Sequence, residues 1–180
     1  MIISLVGLPG CGKSSVARLL SRHYGWPSQD TDAEIESRIA MPIRDFFAAQ
    51  GEAAFRDIEA ETLARCVQAP GQRILATGGG IVLRPENREA LHRRTLCFYL
   101  RSTPEELARR LRNDTQRPLM QGVDPLRKLR ELQQQRDPLY RQAAHYVVEA
   151  GRPTVWALVH WICMQLELGG HCKPPSTLEA

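Results

Sequence analysis

Nowhere in these 180 residues does an apolar run approach the ~18 to 20 residues that a membrane span requires. The chain opens directly on a strand-like segment, without the basic, apolar and small-residue succession of a secretory signal. A cytoplasmic protein without a membrane partner is therefore expected. Cysteine is sparse and unpatterned: Cys11, Cys66, Cys97, Cys163 and Cys172 are odd in number, with no C-x-x-C pair and no companion histidine spacing, which argues against a zinc site and a disulfide framework. Aromatics are only 6% of the chain, and the basic residues form neither a dense block nor an aromatic-interleaved motif. The excess of 24 basic over 20 acidic side chains, +4 in all, therefore does not point to nucleic acid, and small anionic substrates explain it equally well. Lysine is rare, with Lys13, Lys128 and Lys173 the three among those 24, so a lysine inside a glycine-rich turn is hard to treat as filler.

That turn, Gly7 to Ser14 (GLPGCGKS), fits the phosphate-loop pattern G-x-x-x-x-G-K-[ST] at every required position. Its context fits as well: Met1 to Val6 reads as a buried strand, and Lys13 opens a segment with Val16, Leu19, Leu20 and His23 at helical spacing. Glycines without Cβ atoms let successive N-H groups, through Gly10, Cys11, Gly12 and on to Ser14 and Ser15, curl around an anion at the positive end of a helix. Lys13 can reach the outer phosphates and the Ser14 hydroxyl can ligate Mg2+, so a nucleoside triphosphate with its metal is the expected occupant. Cys11 is expected to be a small residue tolerated in a tight turn.

Past the first helix, an extended piece around Trp26 to Gln29 delivers Asp30-Thr31-Asp32, two carboxylates at the carboxyl end of a strand, where ligand crevices of α/β sheets lie. Asp30 or Thr31 is also a natural cap for a helix over Asp32 to Ala40. Pro42 should open a short helix ended by Gly51, followed by a longer one from Glu52 to about Gln68. Arg56 and Glu59 share a side of it at i and i+3, a pairing that matters only if it faces the crevice. Arg73 to Thr77 reads as a buried strand running into Gly78-Gly79-Gly80, whose lack of side chains suggests close approach of backbone to a ligand. A helix at Asn87 to Arg94, a strand at Leu96 to Leu100 and a capping box at Thr103 to Glu106 follow, the helix after it carrying Arg110. Residues 113 to 125 read as a mobile lid with Arg117. A helix from Leu126 to Arg136, a strand at Tyr146 to Val148 and a last helix after Arg152-Pro153-Thr154 complete the domain at about residue 168, with 169 to 180 as a tail. Strands alternating with helices about five times argue a single α/β domain: a three-layer sandwich of the phosphate-loop NTPase kind around a five-stranded parallel sheet.

Taken together, GLPGCGKSS, Asp30-Thr31-Asp32, F-R-x-I-E from Phe55 to Glu59, ATGGG at 76 to 80, RPLM at 117 to 120 and R-x-P-L-Y from Arg136 resemble the shikimate kinases over roughly residues 1 to 165. The resemblance implies transfer of the ATP γ-phosphate to the 3-hydroxyl of shikimate, giving shikimate 3-phosphate and ADP, a step of aromatic amino-acid biosynthesis. It implies Asp32 on the acceptor hydroxyl, Asp30 holding magnesium through water beside Ser14, Arg56 and Arg136 gripping the shikimate carboxylate, and Glu59 orienting Arg56. It further implies that Gly78, Gly79 and Gly80 meet the substrate hydroxyls, that Arg117 reaches the phosphates, and that Arg110 and Arg152 lie near the adenine of ATP. A monomer is expected. The alternatives are a phosphate-loop kinase for another small hydroxy acid or a nucleotide, which would lack the Arg56 and Arg136 pair, and a catalytically silent nucleotide-binding relative, which would lose Lys13, Asp32 or an arginine.

Overall fold

The computed structural model describes residues 1–111, 124–150 and 154–172. Five strands, β1 (Ile2–Val6), β2 (Ser28–Asp30), β3 (Arg73–Ala76), β4 (Leu96–Arg101) and β5 (Tyr146–Glu149), form one sheet in the order β2-β3-β1-β4-β5. Every pairing is parallel, with Ser4 opposite Leu75 on one side and Cys97 on the other. β1 is central and reads apolar throughout except for Ser4, as a strand covered on both faces must. Ile3, Leu5 and Val6 are fully buried, each worth about 1.5–3 kcal/mol against exposure. The buried Ser4 hydroxyl is satisfied by Thr95 Oγ1 at 2.6 Å.

Among the described residues, seven α-helices cover the faces: α1 (Lys13–Tyr24), α2 (Thr31–Ile39), α3 (Ile43–Gln68), α4 (Pro85–Arg94), α5 (Pro104–Leu111), α6 (Pro125–Ala143) and α7 (Val155–Leu168). The two helices expected around Gly51 are present as the two halves of α3, which meet at a kink where Gly51 takes φ 81°, ψ 173°, a non-helical conformation that an L side chain would resist. The expected Thr103 capping box is present: Glu106 N donates to Thr103 Oγ1 at 3.3 Å while Thr103 N donates back to Glu106 Oε2 at 3.3 Å. The expected stop at Arg136 is overturned, because α6 runs on through Pro138 to Ala143. Among the described residues, no helix is long and apolar enough to cross a membrane.

The chain leaves β1 to enter β2, which is not its neighbour, and the neighbours of β1 are β3 and β4. The crevice at the carboxyl end of β1 is thus the point where strand order reverses, and the loops after β1, β2 and β3 open into it. Of the expected lid, residues 113–123 lie outside the described residues; its far end is already helical, with Asp124 Oδ1 accepting from Leu126 N at 3.1 Å as the cap of α6.

Candidate active site

The loop from Gly7 to Gly12 joins β1 to α1, and Gly12 at φ 98° sits at the α1 N-cap, a backbone conformation that lets the N-H groups turn inward. Lys13, buried at 9% exposure, folds its ammonium over the loop, donating to Gly7 O at 2.8 Å and Leu8 O at 3.0 Å with Cys11 Sγ 3.7 Å away. Cys11 is fully buried beneath it, in keeping with a packing role. A Cβ on Gly10 would lie 3.1 Å from the Leu111 side chain, so the last turn of α5 overhangs the loop. On that turn, Arg110 donates to Ala150 O at 3.0 Å, just beyond β5. Arg117 and Arg152 lie outside the described residues.

Asp30 ends β2 and faces two ways. Its Oδ1 accepts from Asp32 N at 3.0 Å, capping α2, and its Oδ2 accepts from the Ser14 hydroxyl at 2.9 Å. Asp30 thus caps α2 and reaches the phosphate-loop serine at once. Two hard oxygen donors, one from each side of the crevice, suit magnesium, which keeps several waters and takes one or two carboxylates beside the phosphates. Among the described residues there is no group of three or more His, Cys, Asp and Glu side chains that could hold a metal.

The far side of the crevice is organised by Gly78-Gly79-Gly80. Gly78 N donates to the buried Thr31 Oγ1 at 2.9 Å, which ties the run to the start of α2. A Cβ on Gly78 would strike the Asp32 carboxylate, one on Gly79 would sit 3.0 Å from the Pro9 ring, and one on Gly80 would strike the Arg56 guanidinium. The close approach inferred from the sequence is thus made, in this structure, by the protein's own site residues. From the other side of the crevice, Arg136 Nη1 and the Tyr140 hydroxyl, one α6 turn apart, both donate to Gly79 O, at 3.0 and 2.6 Å.

Arg56 is held on three sides. Its Nη1 donates to Glu59 Oε2 at 2.7 Å, its Nη2 meets Glu52 Oε1 at 3.0 Å, and its guanidinium lies 5.9 and 5.3 Å from the Phe47 and Phe55 ring centroids. Glu59 is 1% exposed, so this is no solvated surface pair. Burial raises the Glu59 pKa above its ordinary value, and Arg56 offsets only part of that rise. Burial pulls the Arg56 pKa down, but Glu59 and Glu52 outweigh it and hold it above its ordinary value. A fixed cation results, 13% exposed at the crevice wall.

Sequence reasoning gave no role to Tyr140, although it closes the R-x-P-L-Y stretch. The signal was its i+4 spacing from Arg136, available only once α6 is known to continue. Tyr140 is fully buried and stacks on Tyr99 at 4.8 Å, and Tyr99 in turn donates to Asp137 at 2.9 Å. Arg101 and Arg141 also bind Asp137, at 3.2 and 2.7 Å. This network pins the α6 segment that presents Arg136.

Residues 9–166 match the family model described as shikimate kinase. A shikimate kinase from Paracidovorax citrulli is 53% identical over 97% of this chain and 96% of its own length. One from Burkholderia pseudomallei is 48% identical over 96% and 94%. Among solved structures, shikimate kinase from Acinetobacter baumannii in complex with shikimate superposes with a TM-score of 0.88 at 38% identity, covering 96% of this chain and 95% of that one.

Proposed function

Since the chain belongs to the shikimate kinase family and transfers phosphate from ATP to a shikimate hydroxyl, we propose the following division of labour within the crevice. The observation that carries it is the convergence of Asp32, Arg56 and Arg136 on three consecutive glycines at the carboxyl end of β3. Arg56 and Arg136 present guanidinium forks to the shikimate carboxylate, a planar anion suited to bidentate arginine. Glu59 fixes the orientation of Arg56. Asp32, against Gly78, takes the hydrogen bond of the 3-hydroxyl and aims its oxygen at the γ-phosphate, and the backbone of Gly78 to Gly80 meets the remaining hydroxyls.

On the donor side, the N-H groups from Gly10 to Ser15 cradle the phosphates. Lys13 exchanges its bonds to Gly7 O and Leu8 O for the outer phosphate oxygens. Arg110 and Arg152 border the adenine, and Arg117 completes the charge balance over the phosphates as the lid closes. Magnesium fits between Ser14 and Asp30, the latter through water, and when bound supplies neutralisation of charge spreading over the transferred group. Loose phosphoryl-transfer transition states ask mainly for positioning and charge stabilisation, and this crevice is built of both. Dispersed basic residues and scattered exposed apolar side chains support a cytoplasmic monomer that binds no nucleic acid.

The test is ADP release from MgATP by purified protein, with shikimate, quinate, gluconate and nucleoside monophosphates offered at equal concentration. Shikimate alone should drive release. Release with another acceptor instead would overturn the roles of Arg56 and Arg136; no release with ATP still bound would mark a silent relative.

A further inference from the structure

A groove of about 390 Å³, open to solvent, lies between α2, α3 and the outer strands β2 and β3. Its wall carries Arg38, Arg65 and Arg73 against one carboxylate, Glu34. Arg38 is engaged by Glu61 at 2.5 Å, and Arg73 donates to Gln29 Oε1 at 3.2 Å and to Pro70 O. Arg65 is exposed at the mouth of the groove, and its guanidinium makes no hydrogen bond or ion pair among the described residues, so it is free to turn toward a ligand.

Two buried polar atoms on this wall lack partners among the described residues: the hydroxyl of Thr62, a residue 3% exposed, and Arg73 Nε. A buried polar group without a hydrogen bond costs about 1–3 kcal/mol, so each such group calls for an occupant. We propose that this groove binds a small organic anion, with Arg65 and Arg73 on its charged oxygens and the Thr62 hydroxyl completing the contact. The positive excess selects for an anion, and the volume lies within the range of small-molecule sites. Phosphate and carboxylate groups share the required chemistry. Thr62 stands three residues from Glu59 and Glu34 two from Asp32, so the ligand bridges the two helices that carry the acceptor site.

The test is a chemical-shift titration of the 15N-labelled enzyme already saturated with magnesium, a non-hydrolysable ATP analogue and shikimate, so that the phosphate loop is filled. Inorganic phosphate and malonate are the probes, added separately. Saturable shifts centred on Thr62, Arg65 and Arg73 are expected with at least one of them, phosphate alone marking a phosphorylated ligand and malonate alone a carboxylate. Affinity should fall tenfold or more in Arg65→Ala and in Thr62→Val, both retaining shikimate-dependent turnover as evidence of folding. Absence of saturable shifts with both probes, shifts confined to Gly7 to Ser14, or equal affinity in the variants would overturn the proposal.

Discussion

Glu59→Gln separates the orienting role of Glu59 from simple packing. Glutamine preserves the shape and one oxygen acceptor for Arg56 Nη1 at the 2.7 Å contact, but removes the charge. Arg56 stays cationic, so its bond to glutamine remains charge-assisted on the donor side, and losing the carboxylate charge removes about half of the 1.5–3 kcal/mol that such a pair contributes, roughly 1–1.5 kcal/mol. Arg56 is then free to follow Glu52, which is 63% exposed and pulls toward solvent. Losing the Glu59 charge relieves its own desolvation but leaves Arg56 with the exposed Glu52 as its carboxylate partner among the described residues, so folding stability should fall modestly. The functional cost falls on shikimate: its KM should rise about 5- to 15-fold at ~1.4 kcal/mol per decade. The KM for ATP should stay constant, and the control Glu52→Gln, an exposed pair worth about 0–1 kcal/mol, should do much less. Steady-state ADP release with each substrate varied in turn reads both constants. An unchanged shikimate KM, or equal effects from Glu52→Gln and Glu59→Gln, would refute the orienting role.

Three further outcomes are expected. Asp32→Asn should lower turnover about 100-fold or more while ATP binding, followed by calorimetry, persists; near-wild-type turnover would remove Asp32 from the chemistry. Arg136→Ala should weaken shikimate binding by about 2–5 kcal/mol, as for a truncated partner of a desolvated pair, and unchanged affinity would assign the carboxylate to other groups. His145 gives a pH dependence of stability. Its Nδ1 accepts from Cys97 N at 3.1 Å, its ring stacks on His92 at 4.4 Å, and burial, then His92 and His171, lower its pKa. The unfolded histidine titrates near 6.5, so the stabilisation is complete above that pH and is lost as pH falls toward the depressed folded value. Urea midpoints should therefore drop between about pH 7 and pH 5, and His145→Asn, whose Oδ1 can still accept from Cys97 N, should flatten that drop.

The parts of the site written in consecutive residues were legible in the sequence. A phosphate loop is a contiguous backbone device, and strand, loop and helix followed one another as the pattern requires. Asp30 and Asp32 follow β2 directly, so the carboxyl-end rule alone carries them into the crevice, and Gly51 marked the interruption in α3. What the glycine run approaches was not legible: the sequence gives the need for space beside Gly78 to Gly80, but the occupants, Asp32, Pro9 and Arg56, come from three other segments. Burial of the Arg56 and Glu59 pair is a tertiary fact as well. Taken in isolation, i and i+3 charges on a helix read as a solvated face, and only the packing of α3 against the glycine run makes them a fixed cation.

Pro138 shows why the remaining misreading arose and what the departure serves. A proline disfavours helix at the residue before it and removes one intrahelical hydrogen bond, at about 3 kcal/mol in a helix interior, so ending the helix at Arg136 follows from local rules. Asp137, the residue so restricted, is instead held by Tyr99, Arg101 and Arg141, and those bonds keep it below the ordinary aspartate pKa although burial opposes them. Hydrogen bonds to a charged group contribute about 1.5–3 kcal/mol each, so three of them offset the lost helical bond. Continuing the helix places Tyr140 one turn beyond Arg136, and two donors from α6 then close on a single carbonyl, Gly79 O. Had α6 ended at Arg136, that residue would sit at a fraying terminus, free to sample many rotamers. The cost of proline within the helix is thus tied to fixing Arg136, the second guanidinium of the proposed acceptor site, against the glycine run.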